Sequence, residues 1–158
     1  MMTVAATTDS VPRLEVLYRE DGDRLWRALL AFGGDPEIAS DAVAEAFAQA
    51  LRRGNAVNNP QAWVWKAGFR IAAGELKKRG SISAIPDMGY LQQEVDTELF
   101  EALAQLPLKQ RAAVVLFYYA DVSVREVARR TGTSQLAVRA NLSRGRKRLK
   151  EILGDRDE

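Results

Sequence analysis

Residues 124–153 read VREVARRTGTSQLAVRANLSRGRKRLKEIL. Two helical patterns are joined there by a turn. Val127 and Ala128 fall on the inner face of the first, Gly132 sits in the turn, and Val138 and Leu142 face inward from the second. Closely crossing helices need a small residue at the crossing, a turn of positive φ needs glycine, and the second helix packs through branched apolar side chains. This is helix-turn-helix spacing, although an ordinary αα-hairpin also satisfies the apolar pattern. The outward residues favour the former. Gln135, Arg139, Ala140, Asn141, Ser143 and Arg144 flank the Val138/Leu142 stripe near the start of the second helix. Arg, Gln and Asn are the side chains able to make paired hydrogen bonds to guanine and adenine edges. Arg146, Lys147, Arg148 and Lys150 follow, better placed for phosphates, which position a protein without telling sequences apart. One such module covers only about 600–1,000 Å² of protein surface on DNA. A second reading head is therefore expected, from a symmetry mate or from elsewhere in the chain.

Composition narrows the remaining functions. The chain has 158 residues, of which 47% are hydrophobic, enough for real cores and against wholesale disorder. No apolar run is long enough to span a bilayer, and the start, MMTVAATTDS, lacks the basic and apolar regions of an export signal. A cytoplasmic protein without direct membrane insertion is expected. Cys and His are both absent, which removes disulfides, thiolate nucleophiles, Cys/His zinc sites and imidazole acid–base chemistry. With no P-loop and no metal triad either, the expectation is a non-enzyme with no catalytic residues, metal or cofactor.

The net charge of +2 hides an asymmetry. Residues 1–65 hold six basic and nine acidic residues, and residues 66–79 hold five basic and one acidic. Residues 80–106 have five acidic residues and no basic one, whereas residues 107–153 have eleven basic against three acidic. Two cationic blocks on helices favour nucleic acid as a partner.

Almost everything reads as helix. Leu14, Leu17, Tyr18, Leu25, Leu29 and Phe32 lie on one face of a first helix over residues 11–32. Asp35-Pro36 starts a second, which runs to about Arg53, with Asp as N-cap and Pro in the first turn. A third runs from Pro60 to Arg79. Residues 80–95 have Gly, Ser and Pro without periodicity and read as a flexible linker. Beyond it come a short helix over residues 96–106, one opened by Pro107 and running to about Ala120, one capped by Ser123 and Glu126, and a last one capped by Ser134. The fold class is all-α: two small helical domains joined by a linker, residues 11–79 with three helices and residues 96–153 with four, the latter containing the helix-turn-helix.

The third helix supplies the second head. Trp63, Lys66, Arg70, Gly74 and Lys77 form one stripe, beside an apolar face of Trp65, Phe69, Ala72 and Leu76. An aromatic beside a basic stripe suits unpaired bases, which stack on the ring while the cations hold the backbone. Trp63 is equally suited to the core.

The whole chain resembles the extracytoplasmic-function (ECF) sigma factors, the small two-domain initiation subunits of bacterial RNA polymerase. Leu103, Leu106, Pro107 and Arg111, the paired tyrosines Tyr118 and Tyr119, the Ser123-to-Ala128 capped helix and the Leu142-Ser143-Arg144 ending follow the family's region 4. LYREDGDRLWRALLAFGGDPEIASDAVAEAFAQALRR and NPQAWVWKAGFRIAAGELKKR resemble its region 2. The resemblance implies that Asp41, Glu45 and Phe47 dock on the core polymerase. It implies that Asn58, Asn59, Trp63, Lys66, Arg70 and Lys77 recognise and melt the −10 element, a flipped base entering the 55–59 loop. Gln135, Arg139, Ala140, Asn141, Ser143, Arg144, Arg146 and Lys147 then contact the −35 element. Partners implied are RNA polymerase core, promoter DNA and an anti-sigma factor. The family's usual residues are replaced at Ala44, Arg70, Gly74, Leu136, Ala137, Ala140 and Asn141, so promoter preference does not carry over. The competing reading is a stand-alone dimeric helix-turn-helix regulator.

The split within the last helix is testable. Arg139→Ala is expected to change preference at one −35 base pair by about 1–3 kcal/mol. Charge removal at Arg146 and Lys147 should instead weaken binding to all sequences and flatten its salt dependence. Binding to a panel of duplexes at several salt concentrations separates the two.

Overall fold

The computed structural model describes residues 2–79 and 97–154, and side chains within residues 11–79 and 98–154. Among the described residues the regular structure is helical, with no strand. Helices α1 (Met2–Gly33), α2 (Pro36–Arg53) and α3 (Pro60–Arg79) form the N-terminal half, with a 3₁₀ turn at Gly54–Ala56. Helices α4 (Thr97–Ala104), α5 (Leu108–Val114), α6 (Val124–Thr131) and α7 (Gln135–Leu153) form the C-terminal half. The expected linker, residues 80–95, lies outside the described residues.

The caps explain the boundaries. Asp35 accepts from the backbone N–H groups of Glu37 (2.8 Å) and Ile38 (3.4 Å), so α2 starts at Pro36. Ser123 accepts from Glu126 N–H at 3.1 Å and Ser134 from Ala137 N–H at 3.1 Å. Only half of the expected capping box forms at α6, because the Glu126 carboxylate turns to Arg129 and Arg130 instead. Gly132 ends α6 at φ +71, a left-handed conformation that a side chain would strain.

Two elements differ from the sequence reading. Helix α1 begins at Met2 rather than near Val11 and carries Pro12 inside it. The apolar stripe that marks the helix in the sequence begins only at Leu14. The helix that follows Pro107 changes character midway. Its last part, Val115–Tyr119, is π-helical, and Ala120 N–H reaches back five residues to the Val115 carbonyl at 3.1 Å. Apolar periodicity cannot reveal one extra residue in a turn.

Leu25, Leu29, Phe32, Ile38, Val64, Trp65 and Phe69 fill the first core; Phe100, Leu103, Leu106, Leu116, Val127, Val138 and Leu142 fill the second. The two cores are continuous. Helix α6 lies against α3, while α4 and the π-helical turn lie against α1. Three arginines cross this contact. The Arg130 guanidinium stacks 4.4 Å above the centre of the Trp65 ring while its Nε donates to Glu126 at 2.9 Å. Arg111 donates to the carbonyl of Phe32 at the end of α1 (2.9 Å) and to those of Ala104 (3.1 Å) and Leu106 (2.8 Å) at the end of α4. Arg24 donates to the Ala120 carbonyl at 2.9 Å. Burial lowers the Arg111 guanidinium to about 10, so it remains a cation at neutral pH. Arg111 and Arg130, two of the eleven basic residues in residues 107–153, are buried structural residues.

Helices α5 and α7 cross closely at Gly145. A Cβ added at Gly145 would lie 2.8 Å from Val114 Cγ2 and 3.6 Å from Gln110 Cβ. The helices would have to part to admit it. Gly145→Ala is therefore expected to destabilise the C-terminal half by about 1–3 kcal/mol, read as a lower midpoint in thermal or urea unfolding.

Candidate nucleic-acid interface

Helix α7 separates its faces cleanly. Val138, Leu142 and Gly145 are buried, and Gln135, Leu136, Arg139, Ser143, Arg144, Arg146, Lys147, Arg148 and Lys150 are exposed. Ala140 and Asn141 are half-buried at the edges of that surface. Its start is held from two sides, by the Ser134 cap and by the left-handed turn at Gly132. Near its far end, Arg146 donates to the Tyr118 hydroxyl at 2.7 Å, and Phe117 meets Tyr118 edge-on at 4.9 Å. The π-helical turn thus aims Tyr118 at α7, a role that sequence periodicity could not show. A rigid helix with one basic, hydrogen-bonding face outward is suited to a DNA groove and its phosphates.

The stripe on α3 is only partly as expected. Lys66, Arg70 and Lys77 are exposed, and Trp65, Phe69, Ala72 and Leu76 are buried as the neighbouring apolar face. Trp63 is half-buried against the core with the Arg53 guanidinium 5.7 Å from its ring centre. The Lys66 side chain runs beneath the helix-turn-helix turn, its Cε 2.8 Å from where a Gly132 Cβ would sit. Asn58 is exposed. Asn59 is exposed too, but its side-chain oxygen caps α3 by accepting from Ala62 N–H at 3.1 Å. The sequence carries the signal for that cap, an Asn directly before Pro60 and a helical run. Beside it lies an open cleft of about 500 Å³ lined by Pro12, Arg13, Leu17, Glu20, Asn59 and Gln61.

Of the three α2 residues, the fold brings two together. Asp41 and Glu45 are exposed one turn apart on a single face. Phe47 points round the helix towards α1, half-buried, where Tyr18 meets it edge-on at 5.2 Å. It lines an apolar groove of about 470 Å³ with Val11, Leu14, Tyr18 and Leu51. Hydrogen bonds from the Gln49 amide and then from Arg52 (both 3.0 Å) hold the Glu45 carboxyl below its ordinary range. Gln49 also accepts from Arg70 at 3.4 Å, so the acidic face of α2 adjoins the basic stripe of α3. Among the described residues no group of acidic side chains could hold a metal ion.

Residues 96–149 match the family model described as sigma-70, region 4. Over most of its length the chain is similar to RNA polymerase sigma factor SigV of Bacillus subtilis, 28% identical over 142 residues that span 84% of this chain and 86% of SigV. It is 26% identical to the ECF RNA polymerase sigma factor SigE of Mycolicibacterium smegmatis, across 91% of this chain and 63% of SigE. Two solved structures share the fold, each with a TM-score of 0.74 and 20% identity. One is the sigma factor RpoE in complex with the anti-sigma factor NepR from Bartonella quintana, where the match covers 91% of this chain and 98% of RpoE. The other is CnrH in complex with the cytosolic domain of CnrY, with 97% and 95% covered. Residues 96–149 thus carry a sigma-70 region 4 helix-turn-helix, and similarity to ECF sigma factors of bacterial RNA polymerase continues through the N-terminal half of the chain.

Proposed function

We propose that this chain is an ECF sigma factor that joins core polymerase through α2, reads the −35 element with α7 and opens the −10 element along α3, acting by binding energy rather than catalysis, in the cytoplasm. The observation that carries the reading is the free basic face of α7, set in a hairpin whose apolar stripe is fully used by the core. The Asp41/Glu45 face is the docking surface, and the adjoining Lys66, Arg70 and Lys77 stripe leads the single strand towards the cleft at Asn59. Asn59 acts there chiefly by fixing the start of α3, leaving Asn58 and the cleft wall for the base. No helix among the described residues is long and apolar enough to cross a membrane.

The packed halves imply regulation. Promoter elements two helical turns apart are separated by about 70 Å, whereas α6 and α3 are in direct contact here. Both heads cannot engage their elements until α6 leaves α3, so promoter binding requires the Arg130–Trp65 and Arg111–Phe32 contacts to break. An anti-sigma partner that holds the halves together would keep the factor inactive. The RpoE structure, solved with the anti-sigma factor NepR, supports that class of partner. The stand-alone dimeric regulator is the weaker reading, since the similarity to sigma factors runs through the N-terminal half as well.

Two experiments test this. Purified protein mixed with bacterial core polymerase should co-elute with it and give run-off transcripts from promoters selected by that complex; no complex and no transcript would overturn the assignment. For the closed state, the absence of native cysteine allows dye pairs on cysteines introduced at Ser40 and Lys150, both exposed. Arg130→Ala removes a desolvated cation–π contact of about 2 kcal/mol. The dye-to-dye distance distribution should then shift to longer values, and an unchanged distribution would count against that contact as the latch.

A further inference from the structure

The most exposed large apolar side chain among the described residues is Leu136, at 77%. It stands in the first turn of α7. With 3.6 residues per turn it lies about 160° round the helix from buried Val138, on the outermost line of the surface proposed to face DNA. Ala140 and Ser143 follow it along the same line, with exposed Arg139 and Arg144 at its flanks. The small residues at 140 and 143 let the helix approach a groove floor closely and leave Leu136 as the large side chain of that line in the first half of α7. Its backbone is held by the Ser134 cap and by the close α5–α7 crossing.

A leucine can neither hydrogen-bond a base edge nor pair with a phosphate. The major-groove floor offers it one apolar group, the 5-methyl of thymine. The cations around it suit a polyanion. A protein partner would be expected to meet a continuous apolar patch, yet no other exposed large apolar residue lies on α6 or α7. The nearest tie to one, the Arg146–Tyr118 hydrogen bond, is ten residues away, about 15 Å along the helix. We infer that Leu136 is a specificity-determining residue that seats a thymine methyl group in the −35 element. This rests on the DNA-reading role proposed for α7.

The test uses polymerase core loaded with this sigma factor. The holoenzyme first selects from promoters randomised across the −35 region. Thymines in the selected element are then replaced one at a time by deoxyuridine, which keeps every hydrogen bond and removes only the methyl group. One replacement should weaken binding about three- to fivefold. Leu136→Ala should bind the thymine and uracil promoters equally, and Leu136→Met should retain the preference. Arg139-dependent positions should be unaffected in both variants. A selected element without thymine, equal binding of both promoters by the wild type, or discrimination that survives in Leu136→Ala overturns the inference. Those results leave the side chain to a protein contact. Failure to enrich any −35 sequence is a different outcome, and overturns the reading role of α7 along with it.

Discussion

The arrangement of the whole chain depends on what surrounds the Trp65 indole. Its ring is fully buried, and its N–H needs an acceptor because an unpaired buried donor is costly. Asp21 of α1 accepts it, and is itself buried and further satisfied by Gln61 (3.3 Å) and Arg24 (3.4 Å). The outer face of the same ring carries the Arg130 guanidinium of the other half. One aromatic side chain thereby orients α1 against α3 within the first half and receives α6 from the second. Arg24 extends the network by bonding both Asp21 and the Ala120 carbonyl.

A contact of this type is suited to a state that must later be undone. Its charged members keep partners within their own halves: Arg130 with Glu126, Arg111 with the carbonyls of Ala104 and Leu106, Arg24 with Asp21. Separation would hydrate these arginines without leaving any of them isolated. A purely apolar seam would expose more hydrophobic surface on opening, at about 25 cal/mol for each square ångström. Polar, internally paired interfaces resemble transient ones, and relative domain motion is the normal expectation for them.

Apart from the start of α1 and the π-helical turn, the helix boundaries and apolar stripes were legible because they rest on local signals. Caps at Asp35, Ser123 and Ser134 and the turn at Gly132 are decided within four residues of chain, and the apolar stripes follow from helical period. The exposed basic face of α7 was legible for the same reason: a helix with one stripe buried has its other side determined. Charge was less informative. Eleven basic residues in residues 107–153 looked alike as a block, yet Arg111 and Arg130 serve the interior. The faces of α2 were blurred too, since Phe47 shares a motif with Asp41 and Glu45 but turns to Tyr18.

By itself the sequence determined the all-helical class, the hairpin, the cap positions and the basic face of the last helix, all consequences of residue type at short range. Only the tertiary structure decided that the two halves pack together and that Trp65 and Arg130 meet across 65 positions of chain. It also decided that Asn59 is occupied as a cap and that no other large apolar side chain is exposed beside Leu136 on α6 or α7. Those facts depend on which surfaces meet after the helices have formed. Long-range burial and pairing choose that, and no periodicity along the chain encodes it.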